Sequence, residues 1–288
     1  MSVVAPNSID GVLAALRELP DAHLLAGGTD LMVEVNFGHR RPPAVIALRN
    51  VRELRERRRV GTTLSLGAGV TYAHLAAPDI AITHPALAAA ARTVGSPQIR
   101  NAGTLGGNVG TGSPAGDTLP VLAAFDAVIR LTATDGTQRD VAWNEFFVGP
   151  KRTVRQNNEL ITEIDLPVLN ARQDYLKVGT RNAMVISVAG LALVIDIDGR
   201  TVRCALGSVG PVPIRTVDAE TWIAQNIDWD ALRVGEADAK RFGEMVTSAS
   251  KPIDDHRSTA SYRRHAVGVL AERALHRLLS ANYPTNEV

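Results

Sequence analysis

The chain has 288 residues, 45% of them hydrophobic, with 31 Lys or Arg against 30 Asp or Glu for a formal charge of +1. That length and apolar content suit a globular protein with a substantial core, and the near-neutral balance excludes a field that would draw it to nucleic acid or an anionic membrane surface. The single cysteine, Cys204, excludes an internal disulfide, an iron–sulfur cluster held by this chain alone and a cysteine-rich zinc site.

Residues 1–8 lack the basic region and apolar core of a secretory signal, and no stretch approaches the roughly 18 apolar residues of a membrane span, so the expected location is cytoplasmic. Ser8 is placed to cap a helix whose stripe is Val12, Leu13, Leu16 and Leu19, closed by Pro20. A short strand over residues 23–26 then breaks into Gly27-Gly28-Thr29-Asp30, and residues 45–48 read as another strand. The charge run at residues 52–59 mixes acids with bases and reads as a solvated face or turn. Leu64, Leu66, Ala68 and Val70 alternate with small or polar residues, the period of a half-buried strand.

Pro85 opens a helix with Leu87, Ala90, Ala91 and Val94 on one face, stopped by Gly95. Residues 95–119 then run G-S-P-Q-I-R-N-A-G-T-L-G-G-N-V-G-T-G-S-P-A-G-D-T-L, too polar and glycine-rich to fill a core, and read as a long binding loop. A helix over residues 119–124 follows, then a hairpin whose first strand carries Ile129, Leu131 and Ala133 and turns at Asp135-Gly136. Residues 160–167 alternate as a strand, and the composition changes after Pro167 and Asn170, where a domain boundary is expected. A second hairpin turns at Asp198-Gly199, between Leu191, Leu193, Ile195 and Ile197 on one side and Val202, Cys204 and Leu206 on the other. The last helix has apolar ridges at Ala266, Leu270, Ala274, Leu278 and at Val267, Ala271, Leu275, Leu279, with Arg263, Arg264, Arg273 and Arg277 on the outside. The order of elements points to an α+β fold.

Two glycine-rich stretches with hydroxyl side chains make an anion cradle, for which a phosphate compound is the usual occupant. A nucleoside triphosphate site is excluded because no Gly-Lys-Ser or Gly-Lys-Thr occurs. The dinucleotide fingerprint is approached only by Gly110 and Gly112, with the third glycine displaced to Gly116. A large diphosphate gripped by two loops fits best, and a flavin dinucleotide has the right shape.

The motifs A-G-G-T-D-L at residues 26–31 and Q-I-R-N-A-G-T-L-G-G-N at residues 98–108, followed by Thr111, Ser113, Pro114 and Asp117, closely resemble the FAD-binding medium subunit of the molybdenum hydroxylases. E-L-I-T-E-I-D-L-P at residues 159–167, Tyr175-Leu176-Lys177 and Tyr262-Arg263-Arg264-His265 extend the resemblance over nearly the whole chain. It implies an FAD-binding domain of the p-cresol methylhydroxylase type over residues 1–170, with subdomains 1–60 and 61–170, and a C-terminal sheet-and-helix domain of the CO dehydrogenase flavoprotein type over residues 171–288.

The resemblance further implies that Leu25, Ala26, Gly27, Gly28, Thr29, Asp30 and Leu31 together with Thr104, Leu105, Gly106, Gly107 and Asn108 surround the FAD pyrophosphate. Thr111, Ser113 and Asp117 would bond ribityl or ribose hydroxyls, Ile161 would pack on the adenine side, and Lys177 would lie near the isoalloxazine. Gly110, and residues 182–186 after the arginine, depart from the family pattern and bear on flavin tuning and acceptor. Implied partners are a large subunit with the molybdenum cofactor and a small subunit with two [2Fe-2S] clusters, in a dimer of heterotrimers, with NAD, oxygen or a quinone as acceptor. An autonomous flavin oxidase and a non-catalytic assembly subunit are the rival readings.

No catalytic triad or metal cluster emerges. The seven histidines lack zinc-ligand spacing and read as surface or capping residues, while Cys204, mid-strand, reads as a small buried hydrophobe.

Overall fold

A computed structural model describes residues 2–281 and 283. Position 1, position 282 and positions 284–288, which the expected domain spans include, lie outside the described residues. The chain forms two compact units, each assembled from separate stretches: residues 1–74, 96–112 and 126–167 in the first, residues 75–95, 113–125 and 168–288 in the second.

In the first unit, strands Ser2–Val4, Ala44–Ala47 and His23–Leu25 form a parallel sheet with Ala44–Ala47 in the centre. Helix Ile9–Glu18 starts where expected, with Ser8 Oγ accepting from the Gly11 N–H at 3.1 Å, and buries Val12, Leu13, Ala15 and Leu16. Each large apolar side chain withdrawn from water contributes about 2 kcal/mol. This helix packs on Ala44–Ala47 and also on Glu159–Pro167, the central strand of a second, antiparallel sheet. That second sheet runs Arg57–Val60, Thr63–Gly67, Glu159–Pro167, Val128–Ala133, Gln138–Ala142.

The charge run is a solvated face, one of its two expected forms: its second half is the exposed edge strand Arg57–Val60, where Arg58 reaches Glu163 at 2.7 Å and the charges keep the edge soluble. Two expectations change here. Strand Thr63–Gly67 is shorter than its alternation predicts and is buried from Leu64 onward, including Ser65. Residues 95–119 are no open loop. They contain the helices Pro97–Ala102 and Leu105–Thr111, each started by a hydroxyl cap, Ser96 and Thr104.

The second unit centres on the antiparallel sheet Ala171–Val178, Ala189–Asp196, Thr201–Gly207, Ile214–Arg215. Helices Val217–Asn226, Glu236–Ala249 and Ala260–Leu278 share one core with Leu191, Leu193, Ile195, Val202, Cys204 and Leu206. Strand Ala189–Asp196 is buried at all positions, so its other face is covered too, by helix Leu119–Ala124, while helix Pro85–Thr93 packs on the neighbouring strand Ala171–Val178. A Cβ on Gly207 would stand 3.1 Å from Pro120 Cγ, which shows how close that second layer lies.

The last helix covers the sheet as its ridges predict, with one correction: Arg263 points inward and is 1% exposed. Its guanidinium donates to the Val188 and Ser208 carbonyls at 3.0 and 2.8 Å and pairs with Asp255 at 2.6 Å. These bonds offset most of the cost of burying the charge, although its Nε has no partner among the described residues. His84 is a capping residue, at the C-cap of helix Pro78–Thr83 and the N-cap of helix Pro85–Thr93, and is buried with its ring 4.9 Å from that of Phe125. Cys204 is buried as expected, and burial pushes its thiol up to about 12, so it is not a nucleophile.

Candidate functional site

The first glycine stretch hangs from strand His23–Leu25 and enters helix Leu31–Asn36. A Cβ on Gly27 would fall 2.0 Å from the Ala102 carbonyl oxygen, so this residue lets one backbone lie against another. Gly28 has φ +73°, a conformation that costs other residues about 1 kcal/mol or more. Between them they turn the chain so that the N–H groups of Gly27, Gly28, Thr29 and Asp30 have no acceptor among the described residues. Four open donors in a row, on half-buried Gly27, Gly28 and Thr29 and exposed Asp30, are a backbone arrangement suited to receiving an anion. Asp30 stands at the N-cap of the helix without a capping bond from its side chain.

The second stretch is differently built. Thr104 forms an isolated bridge with Thr71 and caps helix Leu105–Thr111, its Oγ1 accepting from the Gly107 N–H at 3.0 Å. The Leu105 N–H donates to Val70 O at 2.9 Å and the Gly106 N–H to Ala68 O at 2.8 Å. The donors of this first turn are therefore already engaged. A Cβ on Gly106 would meet Ala68 Cβ at 2.4 Å, so this glycine serves packing. Gly107 differs: beyond Thr104 Oγ1 at 3.0 Å, a Cβ there would meet only Ala26 Cβ at 3.7 Å. The two stretches thus face each other across Gly107 and Ala26.

Ile161 lies in strand Glu159–Pro167, 6% exposed, beneath the same helix; a Cβ on Gly110 would touch its Cδ1 at 3.4 Å. Thr111 is half-buried at the end of the helix, and Gly112 closes it in the left-handed region. The structure therefore gathers Leu25 to Leu31, Thr104 to Asn108, Thr111 and Ile161 in the first unit.

Ser113, Asp117 and Lys177 belong to the second unit. Ser113 Oγ accepts from the Ala115 N–H at 3.3 Å and shapes the turn. Asp117 is buried and accepts three side-chain bonds, from Tyr175 Oη at 2.9 Å, Ser187 Oγ at 2.7 Å and Lys177 Nζ at 2.6 Å. Lys177 also donates to the Thr93 carbonyl at 3.2 Å. A carboxylate has about four acceptor positions, so one remains. Burial, then the Asp117 charge, hold the Tyr175 hydroxyl well above its ordinary range, which keeps it a donor.

Two members of these clusters carry no sequence signal for their role. Ser187 follows an irregular segment, and Lys151 lies in a hairpin between Phe147–Gly149 and Arg152–Thr153. Only tertiary placement brings Ser187 to Asp117 and Lys151 Nζ to Glu34 Oε1, at 2.8 Å. Elsewhere, in the second unit, exposed Glu236 and half-buried Glu272 and His276 bring one ligand atom each within 4.8 Å of one another. Among the described residues no helix is long and apolar enough to cross a membrane.

The chain is similar to known proteins along nearly its whole length. The family model for the FAD binding domain in molybdopterin dehydrogenase matches residues 1–169, and that for the CO dehydrogenase flavoprotein C-terminal domain matches residues 174–278. The glyceraldehyde dehydrogenase medium chain of Sulfolobus acidocaldarius is 31% identical over 278 residues, which span 95% of this chain and 96% of that one. The carbon monoxide dehydrogenase medium chain of Hydrogenophaga pseudoflava is 30% identical, spanning 94% of each. A solved structure of carbon monoxide dehydrogenase from the same organism, lacking the Mo-pyranopterin moiety of its cofactor, superimposes with a TM-score of 0.84 at 30% identity, over 96% of each chain.

Proposed function

We propose the following role from the premise that this chain belongs to the family of FAD-binding medium subunits of the molybdenum hydroxylases and is an oxidoreductase component. It holds FAD inside a complex with a large molybdenum-cofactor subunit and a small [2Fe-2S] subunit, arranged as a dimer of heterotrimers. When bound, FAD would supply two-electron redox chemistry, taking electrons from the [2Fe-2S] clusters of the small subunit and passing them to NAD, oxygen or a quinone.

The observation that carries the reading is the row of unpartnered N–H groups at Gly27, Gly28, Thr29 and Asp30 opposite the bare face of Gly107. A diphosphate needs donors and close access to backbone, and these residues offer both. In this reading residues 27–30 donate to the phosphate oxygens, while Thr104, Leu105, Gly106, Gly107 and Asn108 form the opposing wall. Leu25, Ala26 and Leu31 fix the ends of the donor loop. Thr111, Ser113 and the remaining acceptor position of Asp117 take hydroxyl groups of the ribityl chain or ribose; Ile161 supports the adenine side and Lys177 the isoalloxazine side. This chain contributes binding and orientation, with no acid–base group of its own in the reaction.

The test is purification of the full chain after expression with its neighbouring subunits. The expected preparation shows a visible flavin spectrum, releases FAD on acid treatment and carries molybdenum and iron in its partner chains. A colourless chain indifferent to added FAD sinks the reading in favour of an assembly subunit. A flavin-bearing chain that oxidises a substrate without partners replaces it with an autonomous oxidase.

A further inference from the structure

Lys151 is the residue at which both glycine stretches are tied to one hairpin. Its backbone is in the left-handed region, φ +54°, unusual for a residue with a side chain. Its N–H donates at 3.0 Å to the carbonyl of Gly112, the residue that ends helix Leu105–Thr111. A Cβ on Gly112 would lie 3.2 Å from Thr153 Cγ2, so the hairpin is seated against that helix end. The Lys151 side chain runs the other way. Its Nζ donates to Glu34 Oε1 at 2.8 Å, in the helix that follows the donor loop, and stands 3.9 Å from Oδ2 of Asp30, the last residue of that loop and the N-cap of the helix. The second oxygen of Glu34 is taken by Arg40 Nε at 3.0 Å, which fixes the carboxylate. The Lys151 hydrogen bond holds the Glu34 carboxyl below its usual range, so that carboxyl is ionised throughout the neutral region.

We propose that Lys151 is a positioning residue, a tether that holds the donor loop at residues 27–30 opposite Gly107 before the diphosphate arrives. The inference rests on the function proposed above. Helix Leu31–Asn36 has no buried residue, so little packing holds it in place, and a fixed ion pair at its first turn limits the ordering that binding must bring about. The same pair has little weight in the stability of the whole chain, because Lys151 is 51% exposed.

The experiment measures FAD dissociation constants of the full chain by flavin fluorescence, beside urea unfolding of the FAD-free chain. K151M is expected to weaken FAD binding roughly fivefold, the scale of one such ion pair, with an unchanged urea midpoint and faster deuterium uptake over residues 30–37. K151R restores the affinity. E34Q reproduces the K151M loss, and the double variant is no weaker than either single one, since both remove the same tether. Wild-type affinity in K151M, additive losses in the double variant, or recovery of K151M by E34Q overturns the tether. A wild-type chain that takes up no FAD overturns the proposed function and the tether together, whereas normal uptake beside an unaffected K151M overturns the tether alone.

Discussion

The two glycine stretches have nearly the same composition and opposite hydrogen-bonding states. Among the described residues, the four N–H groups of residues 27–30 have no acceptor, whereas Leu105, Gly106 and Gly107 have theirs bonded to Val70, Ala68 and Thr104. Glycine therefore does two jobs in one binding region. At Gly27 and Gly106 it lets backbone meet backbone; at Gly107 it leaves a surface bare. Glycine content marks both stretches equally, and only the partner of each N–H and the direction of each absent Cβ tell a donor loop from a wall.

The largest effect that would sharpen this contrast is expected at the packing glycines. Gly27→Ala places a methyl group 2.0 Å from a carbonyl oxygen and should lower the unfolding free energy by about 3 kcal/mol in urea titration. A smaller change, below 1 kcal/mol, would mean that the loop has another place to go. Next comes Gly107→Val, expected to lower FAD affinity more than tenfold, about 1.4 kcal/mol, because the branched side chain occupies the bare face. Unaltered flavin content in this variant would refute the facing of the two stretches as a ligand site.

Thr104→Ala is the control for that variant. It removes the cap of helix Leu105–Thr111, costs about 1 kcal/mol of stability and adds no atom to the cleft, so flavin content should fall far less. The smallest effect is a pH dependence. Burial, followed by Arg40, lowers the His23 pKa in the strand that leads into the donor loop. The unfolded chain then binds the proton more readily than the folded one, so the stabilisation is present above the ordinary histidine pKa and is lost as pH falls below it. The urea midpoint should drop on acidification through that range, and His23→Gln should flatten the slope.

Much of this was legible in the residues. The capped helix after Ser8, the hairpins at Asp135-Gly136 and Asp198-Gly199 and the ridged terminal helix follow from local periodicity and turn chemistry, which act over a few positions. Residues 95–119 hid two helices because glycine disfavours helix by about 1 kcal/mol per residue, and tertiary bonds from Leu105 and Gly106 to a neighbouring segment offset that cost. Arg263 was misplaced for a related reason: charge places a residue outside unless carbonyls from elsewhere receive it, here those of Val188 and Ser208. Of the candidate site, the residues around both glycine stretches could be named from the motif. Which of their N–H groups are open, and that Lys151 joins them, depend on contacts between positions more than a hundred residues apart, as from Lys151 to Glu34.

The interleaving of the two units bears on how this chain can be cut. It passes from one unit to the other five times, after residues 74, 95, 112, 125 and 167. A fragment ending near residue 170 carries helices Pro85–Thr93 and Leu119–Ala124 without the sheet they cover, and leaves apolar faces such as those of Leu87 and Leu122 in water. During synthesis the same surfaces stay uncovered until the strands beyond residue 170 have emerged. Dissection of the chain into halves for separate expression should therefore yield an aggregating first half, and the pieces should be soluble only when made together.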